Sequence, residues 1–295
     1  MNMVRGPVLF SLLVCFGVAA QTPPAAALRQ PRLVPGIEDP VPWSPPASPA
    51  AMVGLRGEVV YAAGRDLWAS DGTTAGTRLL ASLCEPYCNE IVALGQGEDV
   101  AFFAELTRGY DFTSLRVVRT DGTAAGTFRA PATFYVGYYH YACTSAAVVG
   151  ERLYFSTLSR DNNSFCELWS SDGTAAGTVS FDPDILVEGG LVPLGGEVYF
   201  LGYGHGFTTR GLWRASAETG RIELVRGFHD SPNLSHLTAV GGRLFFFGPP
   251  ASRGLWTSDG TASGTLSLAR FAVSAGAQPL LADLGGRAWF VADGG

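Results

Sequence analysis

From residue 51 onward the chain alternates short apolar runs with breaks at Gly, Asp and Pro. The runs are four to seven residues long and rich in β-branched and aromatic residues, as in Leu244-Phe245-Phe246-Phe247. Runs of this length bounded by turn residues predict strands. No segment sustains a 3.6-residue apolar period over three turns, so almost no helix is predicted.

The runs recur in a fixed order. A short apolar run ends in Gly. A strongly apolar run follows Gly-Glu or Gly-Arg. A Leu-Trp segment then leads into Asp-Gly-Thr, and a last short apolar run closes the unit. In the fifth unit these pieces are His236–Val240, Arg243–Gly248, Gly254–Ser258 and Thr265–Phe271. The Trp position falls at Trp68, Val118, Trp169, Trp213 and Trp256, in steps of 50, 51, 44 and 43 residues. Such a period marks stacked supersecondary units. The second run begins at Glu58, Asp99, Arg152, Glu197, Arg243 and Arg287, and it is apolar on both sides of the pleat. A strand buried on both faces needs a neighbouring layer on each side. Four-stranded sheets packed face to face around an axis satisfy that need, so the predicted fold is an all-β β-propeller. Five complete units run from Met52 to about Phe271, and Gln278–Gly295 supplies half of a sixth, for a five- to six-bladed ring. Either the N-terminal segment completes the sixth blade, or the ring closes imperfectly.

The fullest copy of the motif is Glu167-Leu168-Trp169-Ser170-Ser171-Asp172-Gly173-Thr174. It resembles the bacterial repeat proteins named for Glu-Leu-Trp-x-x-Asp-Gly-Thr, and the resemblance covers about four-fifths of the chain. It implies a secreted or surface protein built of propeller-like repeats, and no particular activity. The chain departs from the pattern at Val117-Val118, at Ser216-Ala217-Glu218, where Asp is missing, and in the shortened sixth unit.

Asp71, Asp121, Asp172 and Asp259 open the turns between third and fourth strands. An Asp side chain accepts backbone N–H groups further along a turn, and the Gly after it permits positive φ. The second Gly of each turn (Gly76, Gly126, Gly177, Gly264) is expected to take another left-handed conformation. These turns are read as self-capped structural hairpins. A row of calcium sites would need several oxygen ligands in each loop, and each turn offers one carboxylate.

The first 20 residues carry one Arg, an apolar stretch and the small residues Val18-Ala19-Ala20, the form of a secretory signal peptide. The apolar run is shorter than the roughly 20 residues of a membrane span. A lipoprotein box at Cys15 fits poorly, because Val14 precedes it. Residues 21–50 are rich in Pro and Ala and read as a leader or linker. No transmembrane span is expected after cleavage.

Charged residues make up 16% of the chain and hydrophobic ones 47%, which excludes a disordered protein. The net charge is −6, no lysine occurs and the arginines do not cluster. Nucleic acid is therefore not an expected partner.

Function is expected on the face that carries the variable loops: Glu105–Ser114, Thr157–Phe165, Gly202–Thr209 and the link Ala130–Thr144. That link holds Phe134, Tyr135, Tyr138, Tyr139, His140 and Tyr141, a candidate aromatic surface for a glycan or a protein partner. Packing over the channel is the alternative role for these rings. The cysteines Cys84, Cys88, Cys143 and Cys166 fall in the same set of loops. An even count in an exported chain suggests disulfides. Of three possible pairings, Cys84–Cys88 with Cys143–Cys166 is preferred.

The four histidines are scattered, and neither His-Glu-x-x-His nor Gly-x-Ser-x-Gly occurs. No metal site and no cofactor are expected. Paired carboxylates for glycoside chemistry would have to converge from Glu105, Asp111 or Asp161. The resulting expectation is an exported, non-catalytic scaffold that binds a protein partner or a cell-surface glycan. The alternative is a carbohydrate-active hydrolase or lyase with its site at the channel mouth.

Overall fold

The computed structural model describes residues 51–84, 88–110, 112–138, 141–143, 145–159, 165–204, 209–216, 219–228, 234–249, 254–270 and 281–290. The signal peptide, Cys15 and the Pro/Ala-rich leader lie outside these residues. The described residues contain strands and no helix.

The first sheet is a four-stranded antiparallel meander: β1 (Met52–Leu55), β2 (Glu58–Ala63), β3 (Asp66–Ser70) and β4 (Arg78–Ser82). The second repeats it with β5 (Glu90–Gln96), β6 (Ala101–Arg108) and β7 (Phe112–Thr120). Its outer strand is broken into β8 (Phe128–Arg129) and β9 (Phe134–Tyr138), both paired to β7, and β10 (Tyr141–Ala142) adds to β9. The third has β11 (Ala146–Val149), β12 (Arg152–Leu158), β13 (Cys166–Ser171) and a broken outer strand, β14 (Val179–Ser180) and β15 (Ile185–Val187). The fourth has β16 (Val192–Leu194), β17 (Glu197–Gly204), β18 (Thr209–Ser216) and β19 (Ile222–Gly227). The fifth has β20 (Ser235–Val240), β21 (Arg243–Gly248), β22 (Gly254–Ser258) and β23 (Leu266–Arg270). The half unit forms the hairpin β24 (Leu281–Asp283) and β25 (Ala288–Phe290).

The sheets stack as propeller blades do. The innermost strands adjoin in sequence, β1 to β5, β5 to β11, β11 to β16, β16 to β20 and β20 to β24. Alternation along the second strands then sends successive aromatic rings to opposite neighbours. Phe103 packs toward the first sheet and Phe102 toward the third. Phe155 packs toward the second sheet and Tyr154 toward the fourth. Phe200 packs toward the third and Tyr199 toward the fifth. Each fully buried ring contributes about 1.5–3 kcal/mol. A polar residue at any of these positions would therefore weaken two sheets at once.

Two features depart from the simple repeat. Phe103 pairs with Val118 as Phe155 pairs with Trp169, so Val100, not Asp99, matches Arg152. The turn before β6 holds four residues, 97–100, where Gly195-Gly196 and Gly241-Gly242 make two-residue turns. The second departure is β15, which pairs with both β13 and β17. It hydrogen-bonds the third and fourth sheets into one nine-stranded sheet.

Candidate functional site

The Asp-Gly-Thr turns have one geometry in four copies. In the third sheet, Asp172 Oδ1 accepts the Thr174 N–H at 2.8 Å and the Thr174 hydroxyl at 2.8 Å. Thr174 Oγ1 in turn accepts the Gly177 N–H at 2.9 Å. Ser171 Oγ accepts the Gly173 N–H at 2.9 Å and lies 2.7 Å from Thr178 Oγ1. The same bonds recur around Asp71, Asp121 and Asp259. The hydroxyl before each Asp (Ser70, Thr120, Ser171, Ser258) belongs to this network and escapes a reading centred on Asp-Gly-Thr.

The expectation for the second glycine is corrected. Gly72, Gly122, Gly173 and Gly260 have φ near +90°, whereas Gly76, Gly126, Gly177 and Gly264 are absent from the left-handed region. The second glycine serves close approach instead. A Cβ at Gly76 would lie 2.1 Å from Asp71 Oδ1, and at Gly177 it would lie 2.0 Å from Asp172 Oδ2.

The four carboxyls titrate below their ordinary range. Asp71 is lowered first by the Thr73 N–H and then by its hydroxyl, and Asp121 and Asp259 first by the hydroxyls of Thr123 and Thr261. At Asp172 burial pushes upward, but the bonds from Thr174 outweigh it. Each Oδ1 is thus committed to its own turn.

At the opposite ends of the strands, several expected loops are strand. β6 continues through Glu105 to Arg108, β12 reaches Leu158 and β17 reaches Gly204. Glu105 is 5% exposed. Its Oε1 accepts the Cys84 N–H at 2.6 Å and Arg129 Nε at 2.9 Å. Asp111 and Asp161 lie outside the described residues.

The aromatic link is also strand rather than loop. β9 adds to β7, because the bulged outer edge of the second sheet still offers unpaired backbone groups at Phe112–Leu115. Phe134 is buried and packs edge-on against Phe155 and Trp169, each at 5.0 Å. Tyr135 points the other way, is 54% exposed and meets Phe112 edge-on at 5.2 Å. Tyr138 pairs through its backbone with Phe112 and Tyr141. Tyr139 and His140 lie outside the described residues. The expected aromatic patch is thus reduced, among described side chains, to the exposed pair Tyr135–Phe112.

Among the described residues two disulfides are present, Cys84–Cys88 and Cys143–Cys166. Such bonds suit an oxidising compartment. Cys166 is the first residue of β13 rather than a loop residue, and Cys143 follows β10. Their bond joins the aromatic hairpin to the third sheet.

Beside that bond a cavity of about 270 Å³ opens between the second and third sheets. Strand alternation places Glu90, Val92 and Leu94 on one face of β5, and Leu106 and Arg108 on the same face of β6. Leu115 and Val136 complete that wall, with Ala146 and Phe155 opposite. The charged residues at its edge neutralise each other, with Arg108 Nη2 2.6 Å from Glu90 Oε1. A neighbouring cavity of about 350 Å³ shares Cys143, Ser145 and Ser156 and is lined also by Glu188, Gly189 and Gly190. Glu188 Oε2 accepts Arg210 Nε at 2.8 Å. Among the described residues no group of three His, Cys, Asp or Glu side chains converges as a metal site.

No protein-family model matches the chain, and no curated protein matches it. Solved structures are similar at low identity. A puromycin-hydrolyzing peptidase of Mycobacterium tuberculosis has 16% identity and a TM-score of 0.44, with 81% of this chain and 40% of that one covered. An oligogalacturonate lyase in complex with manganese has 16% identity and a TM-score of 0.41, covering 74% and 63%. The β-propeller domain of the Trilobed protease from Pyrococcus furiosus has 10% identity and a TM-score of 0.43, covering 77% and 69%. The chain spans less than two thirds of the length of the first two.

Proposed function

We propose that this protein is an exported, non-catalytic propeller scaffold. It binds a protein partner or a cell-surface glycan through the strand ends and loops opposite the Asp-Gly-Thr turns. The reading includes cleavage of the signal peptide, and it assigns the chain to the repeat proteins that its motif resembles. The carrying observation is the exposed pair Tyr135–Phe112, beside a disulfide that anchors its hairpin to the third sheet. Rings exposed on a rigid strand offer large contact area at small entropic cost, and stacking on sugar faces or protein side chains uses the same surface. The Asp-Gly-Thr end is regular and its carboxylates are satisfied internally, so it is assigned to structure.

The test is a binding screen of the purified protein against immobilised glycans and envelope extracts, with Tyr135→Ala and Phe112→Ala alongside. Both side chains are surface groups, so the variants should melt within a few degrees of the parent. Loss of a captured ligand in both variants supports the reading. Undiminished capture by both removes this surface from it.

A further inference from the structure

We propose that the cavity between the second and third sheets is a binding site for a small, neutral, mostly apolar molecule of about two fused rings. This goes beyond the partner-binding role, and it does not depend on the Tyr135–Phe112 surface.

The deep part of this interface is filled by Phe134, Phe155 and Trp169. Toward the strand ends the side chains shrink. Gly137, Ser145, Ala146 and Ser156 stand where bulk would be needed to close the gap. Val92, Leu94 and Leu106 are correspondingly only half-buried inside an otherwise closed core. An apolar recess of this kind, open to solvent on one side, takes apolar guests by releasing water from its walls. A cavity of roughly 150 Å³ lined by Leu, Ile and Phe binds benzene. The 270 Å³ here is less than twice that, which suits two rings rather than one.

The charge pattern selects further. Glu90 and Arg108 pair with each other, so the edge of the cavity carries no net charge. An ionic guest would bring a charge into the apolar wall without a free counter-charge, at a desolvation cost. Ser156 Oγ already accepts the Ser145 N–H and donates to Ser145 O. Ser145 and Ser156 line the polar end of the cavity, which suits one hydroxyl on an otherwise apolar guest. A sugar, with hydroxyls on every edge, would leave most of them unpaired.

The probe is 2-naphthol, titrated into the purified protein by calorimetry, with 2-naphthoate and glucose as comparisons. One saturable site for 2-naphthol is expected, with 2-naphthoate at least tenfold weaker and no competition from glucose. Ala146→Leu and Val92→Phe fill the cavity from opposite walls and should each weaken 2-naphthol at least tenfold. Methyl NMR of the parent protein removes dependence on the variants. Shifts should centre on Val92, Leu94, Leu106, Leu115 and Val136. The proposal is overturned by the absence of a saturable site, by shifts centred elsewhere, or by undiminished affinity in a filled variant that remains folded. Equal affinity for 2-naphthoate would overturn the neutral-guest assignment.

Discussion

Gly177 has no side chain because the carboxylate of Asp172 occupies the place where its Cβ would stand, with Oδ2 2.0 Å from that point. The two residues therefore work as a unit. Gly177→Ala must displace a carboxylate held by two bonds from Thr174, or open the turn. An overpacking cost of about 1–3 kcal/mol is expected. In an Asp172→Ser background the space is free, so the same Gly177→Ala change should cost clearly less. Chemical denaturation of the four proteins in this cycle measures the coupling. Additive losses would mean that Gly177 acts through backbone freedom alone.

Acid should weaken the same turns. The folded-state pKa of each of the four Asp residues is lowered, so each contributes stability above its unfolded value of about 3.8. That contribution is lost as pH falls through the folded value, hence below about pH 4. Asparagine keeps an oxygen that accepts the Thr N–H and hydroxyl but does not titrate there. Urea unfolding at pH 7 and pH 3 should show a shallower acid loss for the fourfold Asp71→Asn, Asp121→Asn, Asp172→Asn, Asp259→Asn protein. An equal loss in parent and variant would place acid sensitivity elsewhere.

Local chemistry of the repeat was readable in the chain; exchanges between repeats were not. The five Trp positions predicted the sheets because each strand pattern is internal to its unit. The one-residue offset at Val100 was hidden, because a four-residue turn and a two-residue turn both follow an apolar run and contain Gly. β15 was hidden for a different reason: its partner on β17 is set by packing between sheets, not by the sequence Ile185-Leu186-Val187 itself. The two glycines of each turn look equivalent in sequence, and only the folded turn separates the positive φ of Gly173 from the contact of Gly177. In the candidate site the sequence left three cysteine pairings open, and the preferred one is the pairing present. The cavity was not legible, since nothing in Val92 or Ala146 alone says that they line opposite walls of one gap.

The disulfide Cys143–Cys166 should matter more than Cys84–Cys88. Their sequence separations are 23 and 4 residues. Loop-closure entropy then gives about 3 kcal/mol for the longer link and about 2 kcal/mol for the shorter. The Cys143→Ser, Cys166→Ser protein should also bind 2-naphthol more weakly, because the bond forms part of the cavity wall. Calorimetric unfolding and the titration check the two effects separately. Full affinity in the doubly substituted protein would show that the hairpin holds its place without the bond.

Glu105 separates the structural reading from an enzymatic one. A carboxylate at the end of a strand is a natural candidate acid or base, and Glu105 is one of the three whose convergence glycoside chemistry would need. In the structure it holds the Cys84 N–H and the Arg129 guanidinium and is almost fully buried. Glu105→Ala leaves a buried N–H without an acceptor and Arg129 without its closest anion. Loss of one partner of a buried pair costs about 3–5 kcal/mol, reduced here because Arg129 is 29% exposed and can hydrate. A loss of about 2–3 kcal/mol is expected, with Glu105→Gln intermediate because its amide oxygen still accepts the Cys84 N–H. A catalytic Glu105 would give the reverse pattern: near-parental melting of both variants, with a hydrolase or lyase activity present in the parent and absent from each. Thermal melting and a polysaccharide turnover assay on the three proteins together decide between the two patterns.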